Sequence, residues 1–65
     1  MSDSAEKLAE IRRIYFKTTR TTIVQDFDRA IDLLKSIDAA EDRERATVYM
    51  QGLAEMKREF RGKSR

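Results

Sequence analysis

The spacing of apolar residues between Thr22 and Ile37 constrains the fold of this chain more than any other feature. These residues recur at intervals of 4, 3, 4 and 3: Ile23, Phe27, Ala30, Leu34 and Ile37. Residues at such intervals lie on one side of a helix with 3.6 residues per turn. The pattern predicts an amphipathic helix over residues 22–37 that must bury its apolar side against another element.

A second periodic segment follows after a short connection. Over residues 39–61 the apolar residues recur at intervals of 3, 4, 3 and 4: Ala46, Tyr49, Leu53, Met56 and Phe60. Asp38 is a candidate N-cap for this helix, with Glu41 in the capping-box position three residues later. Gly62 stands where a residue just after the helix is expected, and residues 62–65 are predicted to be a frayed basic tail. The connection between this helix and the one over residues 22–37 is so short that it predicts an antiparallel helical hairpin.

An additional N-terminal helix is predicted over residues 3–17, with Asp3 as its N-cap and Glu6 completing a capping box. Apolar side chains cover more than half of its circumference: Ala5, Leu8, Ala9, Ile11, Ile14, Tyr15 and Phe16. A helix with so wide an apolar arc is expected to pack on one side within its own chain and on the other against a second copy. We therefore expect the centre of a self-association or partner surface at four residues: Leu8, Ile11, Ile14 and Tyr15.

The segment Thr18–Thr22 joins the first two predicted helices and has the weakest helical tendency, because β-branched side chains lose rotamer freedom in a helix. Thr22 with Gln25 repeats the capping-box pattern, so we expect a break or kink here. Two alternatives stay open. The first is a continuous helix through the threonines. The second is a strand over residues 14–24, which would produce the strand, helix, helix order of ribbon-helix-helix regulators.

Length and composition favour an all-α chain that completes its core by self-association. Sixty-five residues make one small domain, close to the lower limit for independent folding. The chain has no cysteine and no histidine, so disulfides and the usual metal ligands are not there to support it. We expect a single helical domain over residues 1–65, with three helices, or two if the first two are continuous. We expect this domain to complete its core by forming a homodimeric bundle.

Several functional classes are disfavoured by the residues present. Without histidine, cysteine or a Gly-rich phosphate loop, most nucleophilic and general-base arrangements are missing, so no enzymatic activity, cofactor or metal is expected. No apolar run approaches the length of a membrane span, and the absence of cysteine fits a reducing compartment, which predicts a cytoplasmic protein. The sequence favours a small intracellular interaction or regulatory module, whose partner is a second copy or another protein.

Binding of nucleic acid or of another anion is the alternative function. The net charge is only +2, but the basic residues fall into two blocks. The candidate anion-binding residues are Arg12, Arg13, Lys17 and Arg20 in the first block and Lys57, Arg58 and Arg61 in the second. An antiparallel hairpin would bring the two blocks to the same end of the molecule, where they could bind phosphates.

Overall fold

Three helices run through residues 3–62, the part of the chain that the computed structural model describes. Helix α1 spans Asp3–Lys17, α2 spans Ile23–Lys35 and α3 spans Ala40–Gly62. Within these residues there is no strand. The predicted all-α class with a separate N-terminal helix is therefore confirmed, and the strand over residues 14–24 is wrong.

The helices alternate in direction, so α2 is antiparallel to both of its neighbours and α1 is parallel to α3. At one end of the bundle, the Ala39 N–H donates to Ser4 Oγ at 3.4 Å, which places the starts of α1 and α3 side by side. At the same end, Lys7 Nζ donates to the Ser36 carbonyl at 2.9 Å. The four-residue connection between α2 and α3 confirms the predicted hairpin.

All three helices contribute to one core. Its buried residues are Ile11 and Ile14 from α1, Ile23 and Ala30 from α2, Ile37 from the second connection, and Ala46, Met50 and Leu53 from α3. All ten residues of the α2 and α3 stripes predicted from spacing belong to this core or pack against it. The half of α1 that carries Ile11 and Ile14 completes the same core instead of remaining available to a partner.

The break between α1 and α2 has a geometric cause in the positions of Ile14 and Ile23. The two residues are nine positions apart, so a continuous helix at about 100° per residue would place them on opposite sides. Both are buried in the same core. Only an interruption that resets the helical phase allows this, and the continuous-helix alternative is therefore wrong.

Hydrogen bonds at the helix starts differ from the predicted capping boxes. Thr22 does precede α2, but its side chain makes no capping bond to that helix. Its Oγ1 accepts instead from the Thr19 N–H at 3.1 Å, which closes the connection on itself. At α3 the flanking residue is Ala39, whose carbonyl accepts from the Arg43 N–H at 2.9 Å, so Asp38 is not the N-cap. Asp3 already lies within α1.

The predicted helix bounds are close but need small corrections. Helix α2 ends at Lys35 instead of residue 37, because the Ser36 and Ile37 N–H groups donate to carbonyls three residues earlier, which tightens the last turn. Helix α3 begins one residue later than predicted and continues through Gly62. Gly62 is therefore helical, and the rest of the predicted tail, residues 63–65, lies outside the described residues.

Gly52 in the middle of α3 is required by the packing of α1. A Cβ atom at this position would lie 2.5 Å from Tyr15 Cε1, well inside van der Waals contact. The Tyr15 ring is itself held by Tyr49, with the two ring centroids 5.5 Å apart. The glycine thus permits the close approach of α1 and α3 at this level, at the usual cost of about 1 kcal/mol in helix propensity.

Gly52→Ala should destabilise the protein by about 1 kcal/mol or more. The new methyl group would force Tyr15 to move, and the energetic cost of that movement should outweigh the gain of about 1 kcal/mol in helix propensity. The sign should reverse in a Tyr15→Ala background, where Gly52→Ala should stabilise by about 1 kcal/mol. Chemical denaturation followed by circular dichroism measures both effects. A stabilising Gly52→Ala in the unaltered chain would contradict this account of the contact.

Candidate interaction surface

The four residues predicted as the centre of a partner surface lie on the inner side of α1. Ile11 is 0% exposed and Ile14 is 7% exposed, both within the core of the chain. Leu8 and Tyr15 are partly buried and pack against that core. Their use by a partner stays a prediction, and for Ile11 and Ile14 it would require the three helices to separate.

The outer side of α1 carries a different set of residues, which we call the α1 stripe: Ala5, Ala9, Arg12 and Phe16. They follow one another at intervals of 4, 3 and 4, and all four are exposed. Phe16 is 67% exposed, which is unusual for a phenylalanine in so small a protein. The stripe is the second half of the wide apolar arc of α1, the half that the core does not use.

A groove between α1 and α3 adjoins this stripe. It has a volume of about 530 Å³, and its walls are formed by Ala5, Leu8, Ala9 and Arg12 from α1 and by Asp42, Arg45, Val48 and Tyr49 from α3. Val48 is 66% exposed. We call the α1 stripe together with Val48 the α1–α3 face. It combines two of the three large exposed apolar side chains described in the structure on one side of the bundle.

Neighbouring aromatic and basic side chains hold Phe16 on this face. Its ring meets the Tyr15 ring edge-on, with centroids 5.1 Å apart. The Arg12 guanidinium lies 5.9 Å from the centre of the Phe16 ring. Tyr15 is fixed between the helices, so it provides a rigid support, and Arg12 covers part of the exposed ring. Phe16 is therefore already oriented for contact with another surface.

Val24, the third large exposed apolar residue, lies on α2 and is 52% exposed. It is outside the groove between α1 and α3. A single exposed apolar residue is normal for a soluble surface. Val24 is therefore a suitable reference position for experiments on the α1–α3 face.

The first basic block is divided between two sides of α1. Arg12 belongs to the α1–α3 face, whereas Arg13 and Lys17 line a shallow groove against α2. Glu10 stands in that groove and accepts from Arg13 at 3.1 Å and from Arg29 of α2 at 3.4 Å. Carboxylates thus accompany the arginines here, and exposed ion pairs of this kind contribute little to stability.

The second basic block lies on the side of the bundle formed by α2 and α3. Lys57 Nζ is 4.8 Å from the centre of the Phe27 ring of α2, and Arg58 lines the same small groove. Because α2 and α3 are antiparallel, this contact puts the block at the end of the bundle where α2 begins, close to the connection that carries Arg20. The second basic block therefore lies at the predicted end of the bundle, as far as its described side chains show. The side chain of Arg61 is outside the described part of the structure. Anion binding by these residues stays a prediction.

The described residues carry few other chemical features. No three acidic side chains among residues 3–62 come together in an arrangement that could hold a metal ion. In the same part of the chain, no helix combines the length and apolarity that a membrane crossing requires. No family model, no curated protein and no solved structure matches this chain. Any assignment of function therefore depends on the surface itself.

The residues predicted from sequence as the centre of a partner surface lie on the inner side of α1, whereas its large exposed apolar residue, Phe16, lies on the outer side. The sequence signal for this outer side is the regular spacing of Ala5, Ala9 and Phe16 within the apolar arc of α1. The sequence signal for Val48 is its position outside the α3 stripe. An apolar residue that is out of phase with the core side of a helix is expected to face solvent. Which half of the arc becomes the core depends on where α2 and α3 pack.

Proposed function

We propose that the protein is a small non-enzymatic interaction module that acts through the α1–α3 face, and that its partner is a second copy of the chain. The exposure of Phe16 and Val48 on the same face carries this proposal. Burial of a large apolar side chain contributes about 1.5–3 kcal/mol. Two such side chains on one face of a protein this small favour association with another surface.

A role without catalysis is supported by the chemistry of the side chains. The chain contains no histidine and no cysteine, which are the most common general bases and the most reactive nucleophiles at neutral pH. The groove between α1 and α3 is lined mainly by apolar side chains, with two arginines and one aspartate at its edges. Such a lining suits contact with an apolar helix surface better than proton transfer.

Phe16→Ser should weaken self-association by at least about tenfold, because each copy would lose the burial of one aromatic ring. Sedimentation equilibrium over a wide concentration range measures the dissociation constant. Val24→Ser is the matched control, since it removes an exposed apolar residue from α2 and should leave association unchanged. Circular dichroism should show unchanged helicity for both variants.

Two results would contradict this proposal. One is an unaltered chain that stays monomeric at the highest concentration that can be measured. The other is equal weakening by Phe16→Ser and Val24→Ser, which would show that association does not depend on the α1–α3 face.

Anion binding is a second candidate function, and it is favoured by the position of both basic blocks at one end of the bundle. Lys17 and Arg20 are exposed there, on and just after the last turn of α1. Arg58 is exposed on α3, and Lys57 is held against Phe27. A phosphate backbone would be bound at this end through charge, without selection of sequence.

If that end binds nucleic acid, affinity for a DNA duplex should fall steeply with salt concentration. Lys17→Ala with Arg20→Ala should weaken binding and reduce the salt slope by about two. The control is Lys35→Ala with Arg43→Ala, which removes the same charge from the opposite end and should have a much smaller effect. Fluorescence anisotropy of a labelled duplex measures both. An absence of binding at low salt would exclude this function.

A further inference from the structure

We propose that two copies of the chain pair their α1 stripes in antiparallel orientation about a two-fold axis. In this arrangement Ala5 lies opposite the partner's Phe16, and Ala9 lies opposite the partner's Arg12. The inference depends on the proposed self-association and adds its orientation and register. Three features of the described residues carry it: side-chain size, charge, and the level of Val48 along the bundle.

Side-chain size divides the α1 stripe into two halves. The first half carries Ala5 and Ala9, and the second carries Arg12 and Phe16. In an antiparallel pair, each large side chain meets a small one, so two helices can approach closely without a void. In a parallel pair of α1 helices, Phe16 would meet Phe16 and Arg12 would meet Arg12, which places like charges together and leaves the alanines facing each other across a gap.

Charge divides the same helix in the matching way. The exposed residues Glu6 and Arg13 come directly after Ala5 and Arg12 in the sequence. They lie two helical turns apart along the same edge of the α1 stripe, which we call its flank. In antiparallel helix pairs, residues on the same flank face each other across the interface, and charges there set partner choice and orientation. Glu6 of each copy would therefore face the partner's Arg13, and the two-fold axis would repeat this pair. The flanks are complementary only in the antiparallel orientation.

Arg13 is able to make this contact without loss of a buried interaction. Its side chain is 62% exposed and pairs at 3.1 Å with Glu10, one turn earlier on the same helix. Such exposed ion pairs contribute little to stability. Arg13 can therefore leave Glu10 and pair with the partner's Glu6 at little cost in free energy. The opposite flank is occupied, since Leu8 lines the groove with α3 and Tyr15 packs on Gly52.

The position of Val48 agrees with the same axis. Helices α1 and α3 are parallel and start together at Ser4 and Ala39. Counted back from the contact between Tyr15 and Gly52, the midpoint of the α1 stripe, between Ala9 and Arg12, is level with the part of α3 that carries Val48. An axis through this midpoint brings the two Val48 side chains close to each other. The interface then covers the exposed apolar residues of the whole α1–α3 face.

Introduced thiols test the register, and the chain has no cysteine of its own to interfere. Ala5→Cys and Phe16→Cys are prepared as two separate variants of the full chain. Each variant carries a single thiol, so a disulfide can form only between two chains. Mild oxidation is carried out at concentrations where sedimentation shows that each variant, including Phe16→Cys, is still dimeric. An equimolar mixture should then give a covalent dimer on a non-reducing gel, whereas each variant alone should give much less.

The outcomes of this experiment separate the inference from the proposed function. Cross-linking of either single variant as efficiently as the mixture would overturn the antiparallel register. No covalent dimer in the mixture, with dimers of both variants present in sedimentation, would also overturn the register but leave self-association intact. A chain that is monomeric in sedimentation would overturn both.

Charge reversal tests the orientation independently. Glu6→Arg alone and Arg13→Glu alone should each weaken dimerisation by about tenfold, because two symmetry-related pairs change from attraction to repulsion. The double variant Glu6→Arg with Arg13→Glu should recover most of the lost affinity. Asp32→Arg on the exposed side of α2 is the control for net charge. Failure of the double variant to recover affinity beyond either single variant would contradict the pairing.

Discussion

The requirement that α1 and α2 bury their apolar sides in the same core determines the architecture of this protein. Ile14 and Ile23 would face opposite directions on an uninterrupted helix, so the chain must break between them for both to be buried. The break turns α1 back along α2 and places it beside α3. Together with the short connection between α2 and α3, that reversal sets the direction of every helix and allows the close contact of Tyr15 with Gly52.

A small core also explains why a surface remains for interaction. Helix α1 has an apolar arc wider than one set of neighbours can cover, and α2 and α3 cover only the side with Ile11 and Ile14. Ala5, Ala9 and Phe16 are left on the outside, next to Val48. The same helix thus stabilises the monomer with one half of its arc and leaves the other half exposed. This division is the physical basis of the proposed self-association.

The spacing of apolar residues was sufficient to predict the order and approximate bounds of the helical segments, but it left open whether α1 and α2 were separate or continuous. It also indicated the hairpin, because four residues between α2 and α3 allow only a reversal. Local hydrogen bonds were predicted less well. Thr22 bonds to Thr19 within the first connection instead of capping α2, because threonine side chains also bond to nearby backbone groups outside helices. Asp38 gives way to Ala39, whose N–H bonds to Ser4 of α1.

The sequence by itself determined that the chain forms amphipathic helices and that α1 is apolar on two sides, because helical periodicity is a local property of residue order. It also indicated a break at Thr18–Thr22, because β-branched threonines have a weak helical tendency, but it left a continuous helix open. Only the tertiary structure decided which side of α1 is buried and which is exposed. That choice depends on where α2 and α3 pack around α1, which is a matter of contacts between residues far apart in the chain.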